Sequence, residues 1–174
     1  GYITTLTNSY TPETVDVSVK KVWNDSNNQD GKRPASLEVT LSNGTKVTLN
    51  ERNQWTATIE NLPKYANGQL INYTWTEDEE GLPEGYELTD TSVNGTITTL
   101  TNSYTPEETE ATVKKVWDDA NNQDGKRAES LTVTLSNGTT VTLNAENEWT
   151  ATVTGLPKYA DGREIVYTWT EDEE

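Results

Sequence analysis

The sequence contains no histidine, cysteine, methionine or phenylalanine. Without histidine and cysteine it lacks the usual ligands of zinc and the base of a Ser-His-Asp triad, and no disulfide can staple the fold. We therefore predict no metal, no cofactor and no turnover enzyme. No apolar run approaches the ~20 residues that span a bilayer, so membrane insertion is not predicted either.

Hydrophobic residues are also scarce, at 31%, and the formal net charge is -16. Nucleic acids and anionic membrane surfaces attract basic proteins, so neither is a predicted partner. We interpret the charge as a device for solubility. Six Trp and eight Tyr carry the aromatic packing of a thin core, and the abundance of Thr and Val favours strands.

The sequence repeats itself with an offset of 94 residues. Residues 17–80 match residues 111–174 at 46 of 64 positions without a gap. The opening residues 3–10 are identical to residues 97–104, again with the same offset. This density of identity predicts that the copies share one fold.

The repeat divides the chain into modules and linkers. We predict a last strand of a preceding or partner module (1–10), a linker (11–16), a complete module (17–104), a second linker (105–110) and a second module without its last strand (111–174). Both linkers contain Pro and acidic residues but no Gly, which indicates semi-rigid, extended connections. Such connections between near-identical modules suit a rod.

The last strand that the second module lacks has two explanations. Either the sequence is a window on a longer array, or residues 1–10 complete the 111–174 module of another copy in an open-ended, head-to-tail contact. Completion within one chain is disfavoured, because the link from Tyr10 to Val17 spans ~20 Å at most. The predicted partners are therefore neighbouring modules or other copies of the chain.

Apolar and polar residues alternate with period two, and no segment has a convincing helical period. Strands are predicted at residues 17–23, 37–42, 45–50, 54–60, 70–77, 85–89 and 96–104. Asn43-Gly44 and its copy Asn137-Gly138 predict tight hairpin turns. Seven short strands predict an all-β fold of tandem antiparallel β-sandwiches, with an immunoglobulin-like or transthyretin-like layout.

Three polar residues fall on predicted inward faces. Lys21 lies on the apolar face of the first strand, Glu77 ends an apolar stripe, and Asn102 lies between two large apolar residues of the last strand. Each is costly to bury alone, but together they could satisfy one another. Their copies are Lys115, Glu171 and Asn8.

Such a cluster has two interpretations. One is a hydrogen-bonded ion pair near the rim of the sandwich. The other is chemical, because an apolar site lowers the pKa of lysine and raises that of glutamate, and a neutral lysine is a nucleophile. Attack of Lys21 on the Asn102 amide, with Glu77 polarising the carbonyl and carrying protons, would release ammonia and leave an amide crosslink. Because this happens once per site, it is self-modification without turnover.

A set of motifs covering nearly the whole chain carries a family resemblance. The motifs are Val-Lys-Lys-Val-Trp at 19–23, Asn-Asn-Gln-Asp-Gly-Lys-Arg-Pro at 27–34, Trp55, Leu-Pro-Lys-Tyr at 62–65, Tyr-Thr-Trp-Thr-Glu at 73–77 and Thr-Asn-Ser-Tyr at 101–104. In this order they resemble the B-type repeat domains of Gram-positive collagen adhesins, the CnaB family. One departure is Ala128, a loop residue, where the first copy has Pro34.

The resemblance implies a transthyretin-like sandwich on the cell surface. It also implies a spontaneous Lys–Asn isopeptide bond between the first and last strands, assisted by a carboxylate. Carried over by position, Lys21 and Asn102 would be joined, with Glu77 as the catalytic residue. In the second module Lys115 and catalytic Glu171 match, and Asn8 would supply the Asn to a preceding module or a partner molecule.

Repetition and resemblance together predict a structural stalk or spacer of a bacterial adhesin or fibre. Its expected location is extracellular, attached to the cell wall of a Gram-positive bacterium. The alternative is that the repeat itself binds a host matrix protein or glycan, since arrays can bind through avidity.

Weaker signals receive structural interpretations. Residues 25–31 and 119–125 resemble a calcium loop, but Ser36 stands where an acidic ligand is expected, so we predict a solvated Asx-rich turn. The acidic run 78–80 is interpreted as a charged loop and not as a glycosidase pair. Trp23 and Trp75 have inward parity and are assigned to the core, whereas the place of Trp55 is left open.

Overall fold

The computed structural model describes residues 1–172. The chain divides into two units, of which the first comprises residues 1–27 and 33–105 and the second comprises residues 28–32 and the chain from 106 onward. Among the described residues, no helix has both the length and the hydropathy of a membrane span.

The regular secondary structure of the first unit consists mainly of strands. They are β1 (Thr14–Asn24), β2 (Ser36–Leu41), β3 (Lys46–Asn50), β4 (Thr56–Pro63), β5 (Tyr65–Ala66), β6 (Gln69–Leu70), β7 (Trp75–Glu77), β8 (Glu87–Asn94) and β9 (Ile97–Ser103). Two 3₁₀ turns lie at Glu51–Asn53 and Glu79–Gly81. The sheets have the orders β4-β1-β9-β8 and β3-β2-β7, with β5-β6 as a separate pair. The predicted all-β fold is confirmed.

One hydrophobic cluster joins the two larger sheets. Buried residues alternate with exposed ones along β2, as expected for a strand with one face on a core. The cluster contains Val17 and Val19 of β1, Leu37, Val39 and Leu41 of β2, Leu49 of β3, Trp75 of β7 and Leu100 of β9. Because both sheets contribute inner faces to this cluster, the unit is a β-sandwich.

The first and last strands of the unit lie side by side and run in the same direction. β1 pairs with β9 in parallel, in a register that places Lys21 opposite Leu100 and Trp23 opposite Asn102. All the other strand pairs described are antiparallel, so the larger sheet is mixed and not purely antiparallel as predicted. Parallel neighbours need a long connection, and here the rest of the module provides it.

Strand limits differ from the sequence pattern in several places, among them β8, which covers Glu87–Asn94 where a strand at 85–89 was predicted. The predicted strand 70–77 is interrupted, because only β6 and β7 form ladders, whereas Ile71 donates its N–H to Lys64 and Thr74 accepts from Ser42 outside a ladder. An extended segment keeps side-chain alternation with or without a ladder, so periodicity cannot separate the two. β1 also begins at Thr14, inside the predicted linker.

The second unit repeats the first with fewer strands. They are β10 (Glu108–Lys114), β11 (Ser130–Leu135), β12 (Thr140–Asn144), β13 (Thr150–Pro157), β14 (Tyr159–Ala160), β15 (Arg163–Glu164) and β16 (Trp169–Glu171). The sheets are β10-β13, β12-β11-β16 and β14-β15. Within the described residues β10 pairs with β13 alone, whereas its counterpart β1 lies between two strands. One edge of β10 is therefore open.

The sheet that contains β10 has two strands, whereas its counterpart in the first unit has four. We therefore predict that the second unit is the less stable of the two. Leu49 and Leu143 are equivalent positions, and both are 0% exposed. We expect calorimetry of the 1–174 polypeptide to resolve two unfolding transitions. Leu143→Ala should destabilise the lower one and Leu49→Ala the upper one, each by about 2–5 kcal/mol because a cavity is left. Val166→Ala, at a position 79% exposed, should move neither. A single transition shifted by both leucine substitutions would contradict separate unfolding.

Candidate functional site

Lys21 is buried in the middle of the mixed sheet. It follows Val17 and Val19 on the inner face of β1, and the residue is only 3% exposed. Its neighbour Lys20 points outward and is exposed, as the alternation of a strand requires. The ammonium group of Lys21 therefore cannot reach bulk water and needs a partner inside the sandwich.

One carboxylate holds both other polar groups of the site. Lys21 Nζ donates a hydrogen bond to Glu77 Oε1 at 2.9 Å, and Asn102 Nδ2 donates to Glu77 Oε2 at 2.6 Å. The Glu77 side chain is 1% exposed and Asn102 is 0% exposed. The structure thus brings the three predicted residues together, from β1, β7 and β9, in a place without water access.

Burial dominates the electrostatics of Lys21. Desolvation lowers the pKa of Lys21 below 10.5, although the hydrogen bond and the charge of Glu77 act in the opposite direction. The Trp23 ring also lies 4.8 Å from Nζ, so one side of the amine faces an aromatic surface. A lowered pKa increases the share of the neutral, nucleophilic amine.

The amide of Asn102 is only half satisfied. Its Oδ1 is buried and finds no hydrogen-bond donor among residues 1–172. A buried carbonyl without a donor costs free energy, so a hydrogen bond to Oδ1 from a neighbouring group would be stabilising. Rotation of the amide by half a turn would direct Oδ1 at Glu77, and a protonated Glu77 could then donate to it.

The second unit repeats the lysine and the glutamate in a more open setting. Lys115 Nζ lies 3.1 Å from Glu171 Oε1 and 3.2 Å from Oε2. Their side chains are 23% and 44% exposed. A cavity of about 130 Å³ adjoins the pair and is lined by Val133, Leu143 and Trp169 among others. Asn8 lies in an exposed segment before β1.

A second buried polar cluster was missed by the sequence analysis. Asp25, predicted to lie in a solvated turn, is 1% exposed, which corrects that prediction. Its carboxylate accepts hydrogen bonds from Arg33 Nε at 3.0 Å, Arg33 Nη2 at 2.6 Å and the Tyr86 hydroxyl at 2.7 Å. Burial, followed by the hydrogen bond to Asp25, raises the pKa of Tyr86 well above its usual range. The second unit forms the same ion pair between Asp119 and Arg127, but the repeat did not single the pair out, because nearly the whole segment is identical in both copies.

The remaining sequence signals have structural roles. Trp75 is 5% exposed and Trp55 is 8% exposed, so the position left open for Trp55 is a core position. In the acidic run 78–80, Asp78 accepts a hydrogen bond from the Glu80 amide and caps the 3₁₀ turn. The run therefore shapes a turn, as a charged loop after a strand would.

Comparison with known proteins agrees with this geometry. The Cna protein B-type domain family matches residues 17–103 and 111–174. A collagen adhesin of Staphylococcus aureus is 47% identical over 172 residues, which cover 94% of this chain. The chain spans only 14% of the length of that relative.

Two solved structures from Staphylococcus aureus are also similar. Two B repeat units (B1B2) of the collagen binding protein share 44% identity, over 95% of this chain and 45% of that chain, with a TM-score of 0.46. A single B repeat unit (B1) of the same protein shares 42% identity, over 93% of this chain and 87% of that chain, with a TM-score of 0.44.

The sandwich and its repeated lysine–glutamate pair define a tandem array of β-modules. The chain belongs to the Cna protein B-type domain family. The family resemblance inferred from the sequence motifs is thereby confirmed.

The lowered pKa of Lys21 predicts how the stability of an uncrosslinked first unit depends on pH. Between the lowered folded value and 10.5 the unfolded chain binds a proton that the folded unit does not. Stability should therefore rise with pH in that window. Urea unfolding of Asn102→Ala, followed up to about pH 10 where tyrosines begin to ionise, should show this rise. Adding Lys21→Met to the Asn102→Ala variant should abolish the rise of stability with pH. Adding Lys20→Met, at an exposed position, should preserve it. An equal slope in both lysine variants would contradict the assignment.

Proposed function

We propose that this chain is a structural spacer of a bacterial surface adhesin or fibre, stabilised by an isopeptide bond between Lys21 and Asn102. The observation that carries the proposal is the shared carboxylate of Glu77, which binds the amine at 2.9 Å and the amide at 2.6 Å in a buried site. An ion pair alone would account for Lys21 and Glu77 but leaves the buried Asn102 carbonyl without a donor.

The reaction needs no group from outside the site. A proton moves from Lys21 Nζ to Glu77 along their hydrogen bond, which replaces a buried ion pair by a neutral amine and a carboxylic acid. The amine attacks Asn102 Cγ while Glu77 protonates the amide oxygen. Glu77 then relays a second proton from Lys21 Nζ to the departing nitrogen and takes back the proton on oxygen as the carbonyl reforms. The Cγ–Nδ2 bond breaks, ammonia leaves, and an amide joins the two side chains. Glu77 is left as the carboxylic acid, holding the one proton that the new amide and ammonia do not carry, and it regains its starting carboxylate when that proton leaves with the ammonia as ammonium.

The position of the bond suits a load-bearing module. β1 and β9 are adjacent and parallel, so tension that enters through β1 would pass across the bond and leave through β9. The other strands would then be bypassed. The bond also closes a loop of about 80 residues, which in the chain-entropy account stabilises the folded state by about 4–5 kcal/mol.

The relatives support the wider setting. The adhesin relatives favour an extracellular location, with attachment to the cell wall of a Gram-positive organism. They also favour a structural role as one module of a repeat array over an enzymatic role. The competing function is recognition of a host matrix protein or glycan by the repeat itself. Saturable binding of the isolated 1–174 polypeptide to collagen would favour that function over the spacer.

The intact mass of the polypeptide tests the proposed bond. We expect the wild type to be lighter by one ammonia than its sequence mass, and digestion to yield one branched peptide containing Lys21 and Asn102. In the monomer, Lys21→Met, Glu77→Ala and Asn102→Ala should each restore the full sequence mass, because each removes one member of the site. Lys20→Met should still lose ammonia. A folded wild type with unchanged mass would reduce the site to a hydrogen-bonded cluster.

We also propose that the second unit accepts a last strand from another copy. Its open edge along β10 lies beside the Lys115–Glu171 pair and the adjoining cavity. Residues 3–10 are identical to residues 97–104, which include all of β9. In this amino-terminal segment Tyr2, Ile3 and Leu6 are each at least 85% exposed. Docking of this segment in the manner of β9 would place Asn8 against Lys115 of the other molecule.

Head-to-tail docking predicts covalent oligomers of the 1–174 polypeptide. Concentrated protein should form a ladder on a denaturing gel, because each docked Asn8 strand allows one intermolecular amide bond. Asn8→Ala and Lys115→Met should each abolish the ladder, whereas Asn102→Ala should leave it intact. A ladder that persists in Lys115→Met would assign the oligomers to another contact.

A further inference from the structure

The reacting amide lies close to the end of its strand. Asn102 is the penultimate residue of β9, and strand ends open more readily than strand centres. Fraying of two residues would carry Asn102 away from Lys21. Something must therefore hold the chain just beyond β9 if the two side chains are to remain in contact.

Tyr104 provides the first part of this hold. Its N–H donates to the Asn24 carbonyl at 3.0 Å, which extends the pairing with β1 past the end of β9. Its ring stacks on Tyr86, with centroids 4.8 Å apart and an interplanar angle of 21°. A backbone hydrogen bond and an aromatic stack thus extend the hold on the last strand beyond its pairing with β8.

Tyr86 is in turn fixed to the end of β1. Its hydroxyl donates to Asp25 at 2.7 Å, and Arg33 donates two hydrogen bonds to the same carboxylate. Asp25 directly follows β1, and its side chain is 0% exposed. Because a buried carboxylate is stable only with its partners in place, this arrangement resists displacement of Tyr86.

The backbone beside Tyr86 is shaped to receive the stacked ring. Gly85 has φ +93°, and a Cβ at this position would lie 2.8 Å from Cε2 of Tyr104. Any other residue would push the Tyr104 ring away or strain the backbone. The glycine therefore allows the close stack.

Trp23 connects this arrangement with the reacting groups. It pairs with Asn102 across the parallel ladder, and its ring lies 4.8 Å from Lys21 Nζ. The same ring meets Tyr86 edge to face at 5.4 Å. A shift of Tyr86 would thus be transmitted both to the amide strand and to the amine.

We infer that Tyr86, anchored by Asp25 and Arg33, is a positioning residue that keeps Asn102 in register with Lys21. We call Asp25, Arg33, Tyr86 and Tyr104 the tyrosine clamp. The inference rests on the proposed crosslink for its chemical consequence, but the holding of the strand end is independent of it. The clamp touches neither reacting atom and acts through strand register alone.

The first experiment measures the clamp where no crosslink can form. In the full chain carrying Lys21→Met, hydrogen exchange of the Tyr104 amide reports opening of the strand end. Tyr86→Phe should speed this exchange by about tenfold, because one hydrogen bond to a charged group is lost while the ring remains. Tyr73→Phe is the matched control, since it removes a tyrosine hydroxyl bond to the Pro63 carbonyl in the same unit. It should leave Tyr104 exchange unchanged.

The second experiment measures the chemical consequence. Ammonia loss is followed by mass spectrometry after cell-free synthesis of the full chain, at a temperature where circular dichroism shows each variant folded. Tyr86→Phe should slow the loss by about tenfold and Gly85→Ala by more, while Tyr73→Phe keeps the parent rate. The shape of the pH–rate profile should not change, because the protons belong to Lys21 and Glu77. A purely structural role would leave the rate of folded protein unchanged.

The outcomes separate the two proposals. If wild type loses no ammonia, the proposed crosslink fails, and Tyr104 exchange alone decides the clamp. If Tyr86→Phe matches Tyr73→Phe in exchange, the clamp is overturned whatever the mass shows. If exchange accelerates but ammonia loss does not slow, Tyr86 holds the strand end without positioning the reaction, and the inference is also overturned.

Discussion

The buried carboxylate of Glu77 is the contact on which the first unit depends. Lys21 and Asn102 both bond to it, and none of the three side chains has appreciable exposure. Removing Glu77 would leave an amine and an amide buried without partners, a larger cost than losing a surface ion pair. The desolvation that makes the cluster costly to bury also lowers the pKa of Lys21, so the same burial increases the share of the neutral amine.

The mixed sheet explains why this cluster lies where it does. Side-chain parity places Lys21 and Asn102 on inner faces, but only the parallel pairing of β1 with β9 makes them neighbours. β8 and β9 are neighbours in the sequence and form a hairpin. β1, in contrast, meets β9 only after the chain has passed through the whole module. Within the first unit the site therefore forms from the strand pairing of greatest sequence separation, which closes the longest loop.

How much the sequence could predict follows from this difference. Alternation identified the all-β fold and the inward direction of Lys21, because period two is a local property. It could not identify the parallel neighbour or the break between β6 and β7, which depend on partners elsewhere. Asp25 escaped because the loop that follows it, with positive φ at Ser26, Asn27 and Asn28, has no periodicity to interpret. Comparison of the two copies could not single it out, since residues 25–33 and 119–127 differ only at Ser26, which is Ala120 in the second copy.

The two units form an internal comparison of the same lysine–glutamate pair. With β9 in place the side chains are 0% and 1% exposed, and without such a neighbour they are 23% and 44% exposed. The residues alone therefore do not create a dry site, and the last strand supplies both the amide and the exclusion of water. In water an ammonium group keeps its proton and is a poor nucleophile, so the proposed attack would have to follow closure of the sandwich. A bond formed under these conditions would record that folding is complete, and it would fix the most entropically demanding contact only after that contact has been made.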